Sequence, residues 1–384
     1  MFISTCCNQT DRSVRTLAII GASYLQLPLV KKAKEMRLRV ICFAWREGAV
    51  CADEADVFYP VSIVEKDEIL TICRKERIDG ICTIASDVAA PTVAYVAEKM
   101  GLIGNSFSAS VIANNKFLMR EAFCKAAIPC PRFKRVTSPD EVKSENWEFP
   151  LIVKPCDRSG SLGVRIITDI SCLVQSVEDA IALSFKKEAI IEQYIEGREI
   201  SVEFISYNGR HFPLSITDKV TTGAPHFVEL EHHEPAQLDQ EQYNKLYSLT
   251  SRALDALGVT NGASHTEYKI TEDGKVFIIE LGARMGGDFI GSDLVQLSTG
   301  YDFVKGVIQV ALGEFMEPDV KQKCSSGVFF LCKETERLLP FFQKKRSLPC
   351  ITRMEMGSPV LKSVTCSADR SGYMIYQSNG KVVI

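Results

Sequence analysis

The segment EYKITEDGKVFIIELGARMGGD, residues 267–288, holds two apolar strand patterns, a short polar turn and a glycine-rich end. The triplet Glu-Asp-Gly at 272–274 is typical of a tight turn, so we expect the flanking strands to form a hairpin. Pairing about that turn places Glu267 and Glu280 nearly opposite each other. Two carboxylates side by side in an apolar setting repel each other and require a cation. Mg²⁺ with bridging phosphate oxygens meets that requirement, unless one glutamate faces solvent instead.

The end of this segment adds a cation and several small residues. Arg284 follows Glu280 by four positions. The surrounding glycines are Gly282, Gly286 and Gly287. A salt bridge alone does not require three glycines, whereas a backbone that another molecule approaches closely does. We therefore expect Gly286 and Gly287 to lie against a bound substrate.

The composition bounds the class of protein. The chain has 384 residues, 46% of them hydrophobic, and a formal net charge of −3, which is sufficient for two or three domains. The balanced charge disfavours nucleic acid and acidic membrane surfaces as partners. No segment approaches the roughly 20 apolar residues that span a bilayer, and residues 1–15 have no apolar core of signal-peptide length. We expect a soluble cytoplasmic protein.

The metal-binding residue types do not predict a zinc site. The fourteen cysteines, from Cys6 to Cys366, form no C-x-x-C pair and lie mostly in apolar segments, which is typical of buried small residues. All five histidines lie between His211 and His265. The sequence HHE among them lacks the helical H-E-x-x-H spacing.

The first part of the chain alternates between strand and helix patterns. The apolar runs TLAIIGA, RVICFAW, DVFYPV and IDGICTIA are separated by helical patterns, as at 66–77 and 88–100. This alternation predicts a doubly wound βαβ domain, which we assign to residues 1–112. Gly21 follows the first strand alone, so a nicotinamide-binding fingerprint is only weakly indicated.

From Asn114 onward the pattern changes. A helix with Lys116 near its start is followed by strands whose spacing is too short for helical crossovers, so we expect antiparallel sheets. We assign residues 113–190 to a small α+β subdomain and residues 191–384 to a large one with short C-terminal strands.

The segment KPCDRSGSLGV has the composition of a phosphate-binding loop. Lys154 ends a strand, and the loop after it contains Ser159, Gly160, Ser161 and Gly163. Small residues leave backbone N–H groups free to bind phosphate oxygens, and the lysine supplies charge. The segment is not a P-loop, because no G-K-[ST] follows. A solvated glycine turn is the alternative.

Two further segments carry candidate binding residues. In EQYIEGREISVE, extended backbone after Glu192 can contact an adenine edge and Glu199 can accept ribose hydroxyls; the alternative is two surface glutamates. In PHFVELEHHEP, Glu229 suits an α-ammonium group, and His232, more than His226 or His233, suits proton transfer from an amine. The alternative for this second segment is a polar surface loop.

In this order, these features resemble the ATP-grasp superfamily of carboxylate–amine ligases. The likeness is greatest to the L-amino acid ligases, which form dipeptides, and is carried by EGREISVEFI, ITDKVTTGAPHFVELEHHEPA and ELGARMGGDFIGSDLVQLSTGYD. It extends from Thr16 to the strands after Cys324. It implies an α/β (α+β) chain in which an N-terminal doubly wound domain precedes an ATP-grasp fold of two α+β subdomains.

The resemblance also implies roles for individual residues. Small-molecule carboxylate and amine substrates, ATP, Mg²⁺ (or Mn²⁺ in its place) and a homodimer are implied as well. The implied roles are phosphate binding by Lys116 and Lys154, closure of the loop Ser159–Gly163, adenine binding at Glu192, Tyr194 and Ile195 with Ile278 beneath the ring, ribose binding by Glu199, metal binding by Glu267 and Glu280, and stabilisation of the acyl phosphate by Arg284.

One position departs from the superfamily pattern. Many ATP-grasp enzymes have an asparagine two residues after the second metal glutamate, where this chain has Gly282. The number of protein ligands for each metal ion therefore stays open. Two alternatives to an amino acid ligase also stay open, a ligase of another carboxylate and an inactive ATP-binding regulatory protein. The identity of the substrates depends on pocket shape, which the motifs do not specify.

Overall fold

The computed structural model describes residues 14–143, 146–343 and 348–384, which form three sheets. The N-terminal segment 1–13, with Cys6, lies outside the described residues. Among the described residues, no helix is long and apolar enough to cross a membrane.

The N-terminal unit is the doubly wound domain that was predicted. It contains β1 (Thr16–Ile20), α1 (Leu27–Glu35), β2 (Arg39–Phe43), β3 (Val57–Tyr59), α2 (Lys66–Glu76), β4 (Gly80–Cys82), α3 (Ala90–Met100) and α4 (Phe107–Ala113). Its strands are parallel, in the order β3-β2-β1-β4. All five residues of β1 are buried, as expected for a parallel strand covered by helices on both faces.

A small antiparallel sheet follows a lysine-bearing helix. The elements are α5 (Lys116–Lys125), β5 (Phe133–Val136), β6 (Leu151–Pro155), β7 (Arg165–Ile167), α6 (Ile170–Leu183) and β8 (Ala189–Gln193). The strand order is β5-β8-β6-β7. Asn115 caps α5 by accepting a hydrogen bond from Leu118 N at 3.0 Å. Because β8 continues to Gln193, the second domain limit that we propose lies after that residue rather than at 190.

The remaining strands form one large sheet. Its elements are β9 (Arg198–Tyr207), β10 (Arg210–Thr221), β11 (Glu229–Glu234), α7 (Gln240–Leu257), β12 (Gly262–Ile270), β13 (Val276–Gly282), α8 (Val295–Thr299), α9 (Phe303–Ala311), β14 (Ser325–Leu331), α10 (Leu339–Gln343), β15 (Ile351–Met356) and β16 (Gly372–Ser378). The eight strands are antiparallel, in the order β13-β12-β9-β10-β11-β14-β16-β15.

The predicted hairpin is present and its register is as expected. Strands β12 and β13 pair so that Glu267 lies opposite Glu280. A bulge follows, because the next pair is Tyr268 with Ile278 and Ile279 is left as the extra residue. The bulge changes which side chains of β13 face the helices and which face the other side of the sheet.

Two helices connect the units through apolar contacts. Helix α5 packs against α7 in a core that includes Met119, Phe123 and Leu254. Helix α9 lies between the N-terminal domain and the large sheet, where Val307 shares a core with Leu17 and other residues of both units. These contacts set the positions of the three sheets around the cleft described next.

Candidate active site

The candidate residues converge on a cleft between the small sheet, the large sheet and the N-terminal domain. An inner cavity of about 150 Å³ lies on the side of the small sheet. A wider cavity of about 530 Å³ adjoins it towards the N-terminal domain. Glu229, Glu267 and Glu280 line both cavities, as do Ser159, Gly160 and Ser161. The two cavities are therefore parts of one cleft, with the metal-ligand candidates at their junction.

A buried triad of charges lies behind the inner cavity. Lys154 Nζ lies 2.7 Å from Glu192 Oε2, and Arg120 Nε lies 2.8 Å from Glu192 Oε1 as an ion pair without a well-aligned hydrogen bond. Burial by itself raises the pKa of Glu192, but the charges of Arg120 and Lys154 outweigh it and the net pKa is lowered. Burial also lowers the pKa of Lys154, and Glu192 counteracts only part of this effect.

Glu192 therefore contributes its side chain, and not its backbone, to the site. It lies in β8 and pairs with Phe133 of β5 and Ile152 of β6, so its backbone is inside the sheet. The segment that follows, with Tyr194 and Ile195, lines the inner cavity. The adenine-binding backbone predicted for this region therefore begins after Glu192.

Ile278 does not reach the cavity, so its predicted position beneath the adenine is wrong. Its side chain is 0% exposed and lies in the core with the helices of the large sheet. Ile279 lines the inner cavity in its place. The reason is the bulge in β13, which turns the extra residue Ile279 to the cleft side next to Glu280.

Lys116 connects the phosphate loop to one metal-ligand candidate. Its Nζ donates to Glu280 Oε1 at 2.9 Å and to the carbonyl of Arg158 at 2.7 Å. Burial lowers the pKa of this lysine, but the carboxylate of Glu280 outweighs burial and the net pKa is raised. The lysine therefore carries a full charge at the start of α5, where the loop and the hairpin meet.

Lys219 is the centre of a second charge cluster, which the sequence analysis did not identify. It is bonded to Glu267 and lies 3.3 Å from Glu199 and 3.6 Å from Glu229. Burial raises the pKa of Glu267, but Lys219 and then His265 outweigh it and the net pKa is well below the ordinary value. A single lysine in the middle of an antiparallel strand gave no motif that could have been recognised.

The phosphate loop is fixed at its base. The carboxylate of Asp157 accepts hydrogen bonds from the backbone amides of Phe185 and Lys186 at 3.1 and 2.9 Å. The Arg158 guanidinium lies 3.6 Å from the ring centre of Phe185 and donates to Leu183 O at 2.6 Å. The residues 159–163 beyond this base line the cleft. This arrangement suits a loop that moves about a held base.

Arg284 is paired across the cleft with a residue of the N-terminal domain. Its Nη2 donates to Asp87 Oδ2 at 2.8 Å, and Asp87 lies in the loop between β4 and α3. A side chain at Gly282 would meet Asp87 Oδ1 at 2.7 Å from its Cβ. Glycine at that position is therefore required by the approach of Asp87, which the sequence analysis missed.

The two remaining glycines differ in their surroundings. A Cβ at Gly286 would lie 2.8 Å from His265 Nδ1 and 3.1 Å from Glu203 Oε2. Gly286 is therefore explained by a buried histidine–glutamate pair, whereas substrate approach was the expectation. A Cβ at Gly287 would meet nothing closer than 3.5 Å, and this residue does line the wide cavity.

The pair that fills the space at Gly286 is charged. His265 Nδ1 is bonded to Glu203 Oε1, and Glu203 is fully buried. Burial lowers the pKa of His265, but the charge of Glu203 outweighs it and raises the pKa to about 9. The sequence analysis considered neither residue.

His232 and Glu229 lie on the wall of the cleft formed by β11. His232 is 1% exposed, its Nδ1 has no hydrogen-bond partner among the described residues, and burial lowers its pKa well below the ordinary value. Burial raises the pKa of Glu229, and Asp288 adds to this although Lys219 opposes it. The histidine is thus neutral near pH 7, which is the form that accepts a proton.

Asp288 brings the C-terminal strands to the cleft. Its two carboxylate oxygens accept hydrogen bonds from Arg370 at 2.7 and 2.8 Å, and the Arg370 guanidinium lies 3.8 Å from the ring centre of Phe330. Two parallel bonds of this kind hold both groups in one orientation. Asp288 lines the wide cavity, and Arg370 comes from a region in which the sequence analysis placed no site residue.

The donor set at the junction of the cavities suits a hard divalent cation. Glu267 and Glu280 present only oxygen atoms and lie opposite each other, which is the donor chemistry of Mg²⁺. Three or more His, Cys, Asp or Glu side chains do not gather into a metal-binding group anywhere in residues 14–143, 146–343 and 348–384. Glu267 and Glu280 are therefore the residues that would hold such an ion.

Comparison with known proteins identifies the fold. Residues 147–293 match the family profile described as the ATP-grasp domain. The whole chain superposes on the crystal structure of an L-amino acid ligase from Bacillus licheniformis with a TM-score of 0.79 and 24% identity, covering 95% of this chain and 94% of that one. The chain therefore carries an ATP-grasp domain and has the ATP-grasp fold, as its motifs predicted.

Two curated relatives share part of the sequence. The alanine–anticapsin ligase of Bacillus subtilis strain 168 is 31% identical over 245 residues, which cover 58% of this chain and 51% of the relative. The D-alanine–D-alanine ligase B of Pseudomonas putida is 24% identical over 267 residues, covering 65% of this chain and 81% of the relative. The chain thus spans about half the length of the alanine–anticapsin ligase that it matches.

Proposed function

We propose that this protein is an ATP-dependent ligase that activates the carboxylate of an amino acid as an acyl phosphate and joins it to an amine. The products are an amide, ADP and phosphate. The observation that carries the proposal is the pairing of Glu267 with Glu280 at the junction of the two cavities, flanked by lysines and by Arg284. The likeness to proteins named as ligases of alanine, D-alanine and L-amino acids supports it.

In the proposed orientation of ATP, the adenine lies in the inner cavity. Tyr194, Ile195 and Ile279 line the end of that cavity away from the junction and offer apolar contacts to an adenine. Glu199, which lies 3.0 Å from Lys269 Nζ, is the acceptor for the ribose hydroxyls. The phosphates then extend to the junction of the cavities, where Lys116, Lys154 and the amides of the loop Ser159–Gly163 bind them.

Glu267 and Glu280 would hold Mg²⁺, or Mn²⁺ in its place. When bound, the divalent ion neutralises charge on the phosphate oxygens. In the described structure Lys219 and Lys116 neutralise these carboxylates instead. With the carboxylates neutralised by the ion, Lys116 would be available to bind the phosphates.

The first chemical step joins two anions and therefore depends on cations. A carboxylate oxygen of the substrate attacks the γ-phosphorus of ATP, the bond to the bridging oxygen breaks, and ADP leaves. Arg284 lines the wide cavity and can bind the acyl phosphate through two parallel N–H groups once Asp87 releases it. The glycines at 160 and 163 let the loop close over the acyl phosphate and exclude water.

We assign the second step to the wall of the cleft that β11 forms. The amine attacks the acyl carbon, phosphate leaves, and the amine nitrogen loses a proton. His232 is the acceptor that we assign, because it is neutral and its Nδ1 has no partner in the described part of the chain. Glu229 binds the ammonium group of a substrate, and Gly287 leaves room for the substrate backbone.

A release screen tests the proposal. Phosphate and ADP are measured for all pairs of common amino acids with ATP and Mg²⁺, and Glu280→Gln serves as the inactive control. We expect release that requires two particular substrates. ATP binding without any substrate-dependent ADP release would identify an ATP-binding regulatory protein instead. If no pair gives release, the screen is repeated with carboxylates that lack an amino group, and release with one of these would identify a ligase of another substrate class.

Two further proposals concern the cellular location and the oligomeric state of the protein. We place it in the cytoplasm and expect a homodimer formed through the N-terminal domain. Light scattering on the purified chain measures the mass of the assembly, and a monomeric mass at micromolar concentration would contradict the dimer.

A further inference from the structure

A buried histidine–glutamate pair lies directly behind one metal-ligand candidate. His265 of β12 and Glu203 of β9 are cross-strand partners in the large sheet. Their side chains are hydrogen-bonded through His265 Nδ1, and Glu203 is 0% exposed. The other ring nitrogen, Nε2, lies 3.4 Å from Glu267 Oε1. The imidazole is therefore held between a buried carboxylate and the carboxylate of Glu267.

The same glutamate also contacts the turn that carries Arg284. The backbone amide of Gly286 donates to Glu203 Oε2 at 3.3 Å. The absence of a side chain at Gly286 permits this approach, because a Cβ would lie 2.8 Å from the imidazole. One carboxylate thus connects the metal-ligand strand and the glycine turn.

We propose that Glu203 and His265 are positioning residues, which orient the carboxylate of Glu267 for the divalent cation and hold the turn after Arg284. This inference rests on the proposed function, because it assigns Glu267 as a metal ligand. Groups that hydrogen-bond to a metal ligand fix its orientation, and their loss typically weakens metal binding by roughly 10–100-fold. Neither residue lines the inner, nucleotide cavity, whereas His265 lines the wide cavity beside Glu267.

The test measures metal binding directly. Full-length Glu203→Gln keeps the size of the side chain and removes its charge. Mn²⁺ binding in the presence of ADP is followed by electron paramagnetic resonance, and melting temperatures are recorded for every variant. We expect Mn²⁺ to bind about 10–100-fold more weakly to Glu203→Gln, whereas ADP binding without metal is unchanged.

Glu234→Gln is the matched control. Glu234 is also a buried glutamate of the large sheet, and its partners are the hydroxyls of Ser215, Thr217 and Ser298 rather than a metal ligand. This variant should bind Mn²⁺ as the wild type does. If Glu203→Gln does not fold, the double variant Glu203→Gln/His265→Gln, which removes both buried charges, replaces it in the same measurement.

The outcomes separate the inference from the function on which it rests. A lowered melting temperature with unchanged Mn²⁺ binding in Glu203→Gln, while Glu267→Gln loses Mn²⁺, would overturn the positioning role and leave the metal site intact. A wild-type protein that binds no Mn²⁺ with ADP would overturn both. In activity assays, the positioning role requires that the Mg²⁺ concentration for half-maximal rate rises while the KM for ATP at saturating Mg²⁺ does not.

Discussion

Two sets of lysine–glutamate contacts border the same cleft, and they differ in their access to water. In the inner set, Glu192 with Arg120 and Lys154, the side chains are between 0% and 6% exposed. In the outer set, the carboxylates of Glu280 and Glu267 are 28% and 26% exposed, although their lysines are buried. Both sets contain a lysine–glutamate ion pair, and the exposure of the carboxylate distinguishes them.

This difference indicates which contacts are permanent. The inner carboxylate is buried between two cations, and removal of one member of such a buried set leaves an uncompensated charge. The outer carboxylates face the cleft, where a divalent cation can replace the lysines. We infer that the inner set holds the small sheet and α5 together, while the outer set exchanges partners during the reaction.

The outer set provides the largest expected effect. Glu280→Gln removes a metal ligand while retaining a polar group beside Lys116, so turnover should fall by several orders of magnitude with little change in melting temperature. Phosphate release and thermal unfolding of the same preparation measure the two quantities. Near-normal release by the folded variant would show that Glu280 is not a metal ligand.

A substitution in the inner set should lower the stability of the protein more than a substitution in the outer set. Glu192→Gln leaves Arg120 and Lys154 buried without an anion, and breaking a buried ion pair costs about 3–5 kcal/mol of stability. We expect a loss of that size in the free energy of unfolding, measured by urea denaturation. The comparison between the two sets fails if Glu192→Gln is as stable as the wild type and loses only activity.

The pair between Arg284 and Asp87 lies between these extremes, because both side chains are about 15% exposed and come from different domains. Arg284→Lys keeps the charge but not the two parallel N–H groups. Loss of one donor to a developing oxyanion typically lowers kcat by about 10²–10³-fold, and the KM for ATP should change little.

Steady-state kinetics with varied ATP measures both parameters for this variant. If Arg284→Lys instead raises the KM for ATP and keeps the rate at saturation, the arginine belongs to the nucleotide site. Asp87→Asn is a useful companion, since it removes the partner and leaves the guanidinium in place.

A buried glutamate without a cation sharpens the comparison, and its replacement should have the smallest effect on activity. Burial raises the pKa of Glu234 from 4.5 to about 8, although three hydroxyls oppose the shift. The folded state therefore binds more protons than the unfolded state between these values, so stability falls as the pH rises from about 5 to 8. Glu234→Gln should remove this dependence, which amounts to at most about 5 kcal/mol over the full window.

Melting curves from pH 5 to 9 test this expectation. The wild type should lose more stability than Glu234→Gln over this range, because only the wild type must release a proton from the buried carboxyl. Parallel curves for the two proteins would show that Glu234 is ionised in the folded state throughout.

Much of the architecture was predictable because it depends on local pattern. The alternating strands and helices before residue 112 follow from hydrophobic period, which each segment carries by itself. The hairpin and the opposition of Glu267 and Glu280 follow from one turn and a strand repeat of two residues. Lys154 was recognisable because it ends a strand before a small-residue loop, whereas the role of Lys116 followed from the resemblance.

Other features depended on contacts that no local pattern records. Asp87 and Arg284 are 197 residues apart, and Asp288 and Arg370 are 82 apart, so only the tertiary structure brings each pair together. Lys219 lies at the centre of a charge cluster because three carboxylates from other strands of its sheet surround it.

By itself, then, the sequence determined the order of strands and helices and most of the charged residues on the cleft. The tertiary structure decided which of them face it. Ile278 and Ile279 show the reason, because one bulged residue reverses the alternation of side chains and exchanges a core position for a cavity position. Gly282 and Gly286 show it again, since their lack of a side chain is required by Asp87 and by His265, which other segments of the chain bring to them.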